Sequence, residues 1–254
     1  MAPVPRLIVF APSHYGERAR WALDRVRLAY REERWAPGPH AVLARRLGLR
    51  ATTTPILDLG DGRPIQGSGR ILDWTGLAGG DPALERRFEH EIGPLVRQFV
   101  YAALLGDPRS GVRDVLLAGT PPRQAAIGRL IWPGLRRLMM QGMQAKPVHL
   151  PDLTARMAEC LAWFEQVLRE RGPHLSDAAF GRADLTAASL LAPLAAPAGC
   201  PVRSLYREVR YPPAVADTLA RWREEPALTW VAQTYAQSRL ASPGPDTEPP
   251  RADT

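Results

Sequence analysis

Two serines, a tyrosine and a Thr-Pro pair are the residues of this chain whose type and placement suggest chemistry. Ser13 stands directly before a stretch in which Tyr15, Ala19, Ala22, Leu23 and Val26 recur at helical spacing. A serine there caps a helix by accepting from an orphan backbone amide. Its own proton stays available to an anion held against the positive helix end. Tyr15 is a second hydroxyl, and its place in the apolar stripe predicts that it packs inward. Ser68, ahead of Ile71 and Leu72, is another N-cap candidate. Thr54-Pro55 opens the apolar run "ILDL" and, taken alone, reads as a strand-start proline.

Other chemistries are not spelled out. Cys160 and Cys200 are the only cysteines, without CxxC or metal-type spacing, so both read as incidental thiols. His14, His40, His90, His149 and His174 lack the i,i+4 pairing of a helical metal site, and no metal is expected. The net charge of +7 is carried mainly by arginines interleaved with acids, the pattern of a solvated, salt-bridged face. No zinc finger, RNA-recognition or basic-zipper signature accompanies it, which argues against nucleic acid. A basic surface suits an anionic small molecule instead. No apolar run approaches the ~20 residues that cross a bilayer. Leu7–Phe10 is too short for a signal-peptide core, so a cytoplasmic protein is expected.

The elements that must position these residues read in order. Residues 6–10 form a strand buried on both faces, and a helix follows from Ser13, the opening of a βαβ unit. "LAYREERWAP" is a second strand. "GPHAVLARRLGL" is a short helix with Val42, Leu43 and Leu47 on one side. "TPILDLGDGRPIQ" reads as a hairpin with a type I′ turn at Asp61-Gly62, and a third helix starts at Ser68. This β-α-β-α-β-β-α order is the thioredoxin-like arrangement. After residue 80 nothing reads as a strand. Pro94 should kink or break a helix, and two helices are expected near 108–117 and 123–144, the latter bent at Pro133. Leu153, Met157, Leu161, Phe164 and Leu168 form the cleanest helical stripe, ended by Gly172-Pro173. "ADLTAASLLAPLA" is apolar enough to lie at the centre of a helical domain. The expected division is 1–78, 82–240 and a disordered Pro-rich tail, 241–254.

Four segments resemble, in order and spacing, those of the glutathione transferases: "SHYGERARWAL" (13–23), "TTPIL" (53–57), "IQGSGRILDW" (65–74) and "FGRADLTAASLL" (180–191). The first resembles the bacterial-type form with serine at the start of helix one. The resemblance implies a thioredoxin-like N-terminal domain followed by an all-helical domain. It also implies glutathione as co-substrate, a homodimer, and attack of the glutathione thiol on an apolar electrophile, as in detoxification. It makes Ser13 the thiol-activating hydroxyl, with Tyr15 as runner-up. A cis Pro55 would turn the backbone of Thr54 to the cysteinyl amide, and Gln66, Gly67 and Ser68 would receive the γ-glutamyl end. Phe99 and Tyr101 would face the electrophile. Met139, Met140 and Met143 either line the same cleft or form core.

The departures matter as well. Gly67 replaces the family's acidic residue, Thr53 its basic residue, and Gly181 its capping Ser or Thr. Gly16 stands where similar relatives often carry cysteine, which argues against thiol–disulfide exchange through the protein. The departures leave open a ligand carrier or interaction protein, a different thiol, or an isomerase or dehalogenase on the same scaffold.

Overall fold

The computed structural model describes residues 4–176 and 179–239. The expected disordered tail, 241–254, lies outside the described residues. The first half runs β1 (Arg6–Val9), α1 (His14–Arg25), β2 (Arg31–Arg34), α2 (Pro39–Arg46), β3 (Ile56–Asp58), β4 (Ile65–Gln66) and α3 (Ser68–Thr75). The sheet order is β2-β1-β3-β4, with β1 and β2 parallel and the remaining pairs antiparallel.

Alternation along β1 explains how its faces are covered. Leu7 and Val9 pack with Ala19 and Leu23 of α1 and Ile71 of α3, while Ile8 turns to Ala44 of α2 and Ile56 of β3. All three β1 side chains are fully buried, as a strand covered on both faces requires. β2 is an edge strand and carries only charges, a sequence that discourages further strand pairing.

Several expectations need correcting. Val42 is exposed, and α2 buries Ala44 instead. The β3–β4 turn is not type I′, because only Gly60 and Gly62 have positive φ and residues 59–64 form the loop. Asp58 and Asp61 shape it by accepting from the amides of Gly60 and Arg63, each at 2.9 Å. Ser68 is the first helical residue of α3, and Gly67, at φ +96°, is the cap.

The helical half comprises α4 (Pro82–Arg87), a π turn (Phe88–Ile92), α5 (Gly93–Leu105), α6 (Val112–Leu116), α7 (Pro122–Gly142), a 3-10 turn (Pro147–His149) and α8 (Leu150–Arg171). It continues with α9 (Arg182–Ala195), α10 (Arg203–Arg207), α11 (Pro213–Glu224) and α12 (Pro226–Ser238). Pro94 does not break the chain. The π turn accommodates it: the Gly93 amide bonds Phe88 O, and the proline falls in the first turn of α5, where no donor is needed. α10 had no sequence signal of its own. α9 is buried along almost its whole length and packs against α1, α5, α11 and α12. Asp184 on α9 accepts from the amides of Gly181 (3.0 Å) and Leu175 (2.7 Å). A side chain at Gly181 would meet Ser176 at 2.7 Å, which accounts for glycine at that cap.

Candidate functional site

Parallel β1 ends at Val9, and the chain passes through Phe10–Pro12 into α1, so the N-terminus of α1 opens at the carboxyl end of the sheet. A cavity of about 410 Å³ lies there, between the loops of the sheet half and helices α5, α6 and α7. Ser13, His14, Tyr15, His40 and the Thr52–Thr54 segment form one wall. Val96, Val100 and Leu104, on one face of α5, meet Leu135, Met139 and Met143 opposite, and Tyr206 and Tyr211 complete the lining.

Ser13 is half-buried, and its Oγ accepts the Gly16 amide at 3.0 Å. The capping bond uses a lone pair, so the hydroxyl proton remains free to donate into the cavity. Gly16 is close-packed: a Cβ there would meet Val9 at 3.2 Å and Ser13 at 3.3 Å. Tyr15 is placed differently. Its single proton goes to the Glu89 carbonyl at 2.8 Å, and burial pushes its pKa up to about 12. Of these two hydroxyls, Ser13 is the one able to serve a ligand.

The Thr54-Pro55 bond is cis. Thr54 lines the cavity, while Pro55 is buried behind it and its carbonyl takes the Gly67 amide at 2.9 Å. Gln66, Gly67 and Ser68 lie outside the cavity lining. The Gln66 amide donates to Ala51 O (3.0 Å) and Thr53 O (2.8 Å), tying down the loop that bears Thr54. Ser68 is buried, and its hydroxyl accepts from Arg18 at 3.4 Å.

On α5 the outcome is split. Tyr101 lines the cavity, but Phe99 does not: it is fully buried with its ring 5.4 Å from that of Trp222. Helical spacing explains this, since residues 96, 100 and 104 share the cavity face and 99 falls on the core face. Met139 and Met143 line the cavity, and Met140 packs beside it against the cluster of Leu104, Leu105 and Leu116.

Several lining residues escaped the sequence reading, and three of them, His14, His40 and Arg97, are basic. His14 is buried, and burial with the nearby Arg97 lowers its pKa to about 3, so it is neutral at pH 7. Its Nε2 lies 3.1 Å from the Gly93 carbonyl and must therefore donate. His40 is also held below the usual histidine range by burial, and its Nδ1 accepts from the Gly38 amide at 3.0 Å. Arg97 was legible in principle, as the isolated charge in the apolar "LVRQFVYAALL" one turn before Tyr101. Among the described residues no group of three His, Cys, Asp or Glu side chains is placed to hold a metal. No described helix is long and apolar enough to cross a membrane.

A thioredoxin-like sheet unit, a cis proline beside a helix N-terminus and an all-helical second half define a class of fold. Residues 7–78 match the family described as glutathione S-transferase, N-terminal domain. The N-terminal domain therefore belongs to the glutathione S-transferase superfamily, and the chain as a whole has that superfamily's fold. Among solved structures, glutathione transferase GSTFuA3 from Phanerochaete chrysosporium is similar at 14% identity, with a TM-score of 0.60, covering 95% of this chain and 99% of that one. The glutathione S-transferase CsGST63524 of Ceriporiopsis subvermispora, solved in complex with glutathione, is similar at 17% identity and a TM-score of 0.58, with 94% and 99% covered. The beta-etherase LigF of Sphingobium sp. strain SYK-6 is similar at 16% identity and a TM-score of 0.52, with 91% and 100% covered. No curated protein sequence matches the chain.

Proposed function

We propose that the protein is a glutathione transferase-like enzyme that activates the glutathione thiol at Ser13 for attack on an apolar electrophile in the adjoining cavity. The observation that carries this reading is the state of Ser13: its lone pair caps α1 while its proton remains free at the cavity wall. A free thiol has a pKa near ~8.5, so only a few per cent is thiolate at pH 7. A donated hydrogen bond and the first-turn amides of α1 favour the anion, and each unit of pKa lowering needs about 1.4 kcal/mol. In this reading the backbone of Thr54, presented by the cis Pro55, meets the cysteinyl amide. The α3 start at Gly67 and Ser68, with Gln66, receives the γ-glutamyl end, and Tyr101 contacts the electrophile. The glutathione half is residues 1–78, the acceptor half 82–240, and the working unit is a cytoplasmic homodimer.

A carrier is the second reading. It is favoured by Gly67 and Thr53, which offer no charge, and by the Gln66 amide, already committed to two backbone carbonyls.

Calorimetric titration with reduced glutathione at pH 7, followed by thiolate absorbance of the bound tripeptide, tests the proposal. Dissociation constants below about 1 mM, with a thiol pKa that rises and turnover that falls about 10–100-fold in Ser13→Ala, are the expected results. Binding that leaves the thiol pKa unchanged in the variant would favour the carrier, and no binding at all would remove glutathione from the account.

A further inference from the structure

We propose that the helical half of this cavity binds an organic acid, an aryl or alkyl carboxylate, whose carboxylate pairs with the guanidinium of Arg97. The inference deepens the reading above, since it assumes that this half holds the second substrate.

Arg97 lines the cavity from α5, between Val96 and Val100. Its Nε is buried without a hydrogen-bond partner. Among the described residues it pairs with no carboxylate. The ring centroid of Tyr15 lies 6.0 Å from its guanidinium carbon. Several other arginines that burial reaches are treated differently. Arg18 pairs with Glu85 and Glu89, Arg20 with Glu32, and Arg182 with Asp73 and Glu85. Leaving a partly buried cation unpaired is unfavourable, and for Arg18, Arg20 and Arg182 folding has met that cost by supplying acids.

Among the described residues, the groups around Arg97 provide no hidden counter-charge. His14 is neutral at pH 7, and Tyr15 and Tyr101 keep their protons, each with a pKa raised by burial to about 12. Arg97 is therefore the one formal charge in a lining otherwise built from apolar side chains, neutral imidazoles and hydroxyls. An apolar body with one anionic end complements that surface. The residues assigned to glutathione lie on the sheet loops and the start of α1, whereas Arg97 stands in the wall formed by α5 and α7.

The test compares 4-phenylbutyrate with its neutral amide by calorimetry on the full-length protein, with and without glutathione. In the wild type the acid should bind roughly 10- to 100-fold more tightly than the amide, the range for a hydrogen bond to a charged group. Arg97→Met should abolish that preference while leaving glutathione binding intact, and Arg97→Lys should retain most of it. Equal affinities for acid and amide in the wild type, or no binding of either, would overturn the proposal even if no variant folds. So would an Arg97→Met variant that keeps the preference, or one that loses glutathione instead, since the guanidinium would then serve the tripeptide. Failure of glutathione binding with the acid preference intact would count against the enzyme reading alone.

Discussion

Within the site, the balance between burial and pairing decides which side chains remain free to act. Ser13 and Tyr15 both carry hydroxyls, yet only Ser13 has a proton not already given to the backbone. His14 is the residue whose burial should be felt in stability. Its folded pKa of about 3 lies below the ordinary histidine value of 6.5, so the unfolded chain takes up a proton that the folded chain refuses. Its contribution is therefore fully present above pH 6.5 and is lost as pH falls from there toward 3. Between pH 7 and pH 5 this amounts to about 2 kcal/mol. Denaturant unfolding of wild type and His14→Asn at both pH values checks this. The wild type should lose about that much more than the variant on acidification, with His40 and the carboxylates common to both.

Among the elements, a glycine sets how closely the linker before α4 approaches α9. Gly80 precedes α4 at φ +109°, and a Cβ there would clash with that of Ala183 at the start of α9. Gly80→Ala should destabilise the protein by at least about 2 kcal/mol, combining a strained backbone with overpacking. Thermal unfolding of the variant reads this directly, and an unchanged midpoint would mean that the linker is free to move away. The π turn ahead of α5 works by another means: it absorbs Pro94 while keeping α5 in register, so that Val96, Arg97, Val100 and Tyr101 all face the cavity.

Over the whole molecule, a few buried ions join the sheet half to the helical half. Arg18 of α1 is fully buried and reaches Thr186 on α9 (3.0 Å), Ser68 on α3 (3.4 Å), and the carboxylates of Glu85 and Glu89. Near the end of the described chain, Arg239 returns to Glu17 (2.9 Å) and Asp24 (2.7 Å) of α1. Removing one partner of a buried pair costs ~3–5 kcal/mol. Glu85 would keep Arg182, so Arg18→Met should lose about 3 kcal/mol, the lower end of that range, in guanidinium unfolding.

Local pattern alone was enough for the order of elements in the sheet half, the cap at Ser13, the apolar α9 and the thioredoxin-like class, because periodicity, caps and turn residues act between near neighbours in the chain. The sequence also carried the resemblance that foretold the cis Pro55. It could not assign Phe99 to the core and Val100 to the cavity, or show that Glu89 claims the Tyr15 proton. Neither could it show that Arg97 lacks an acid. Those outcomes depend on which groups meet across the sheet–helix boundary, where burial removes water and every charge or hydroxyl must find its partner from a distant part of the chain.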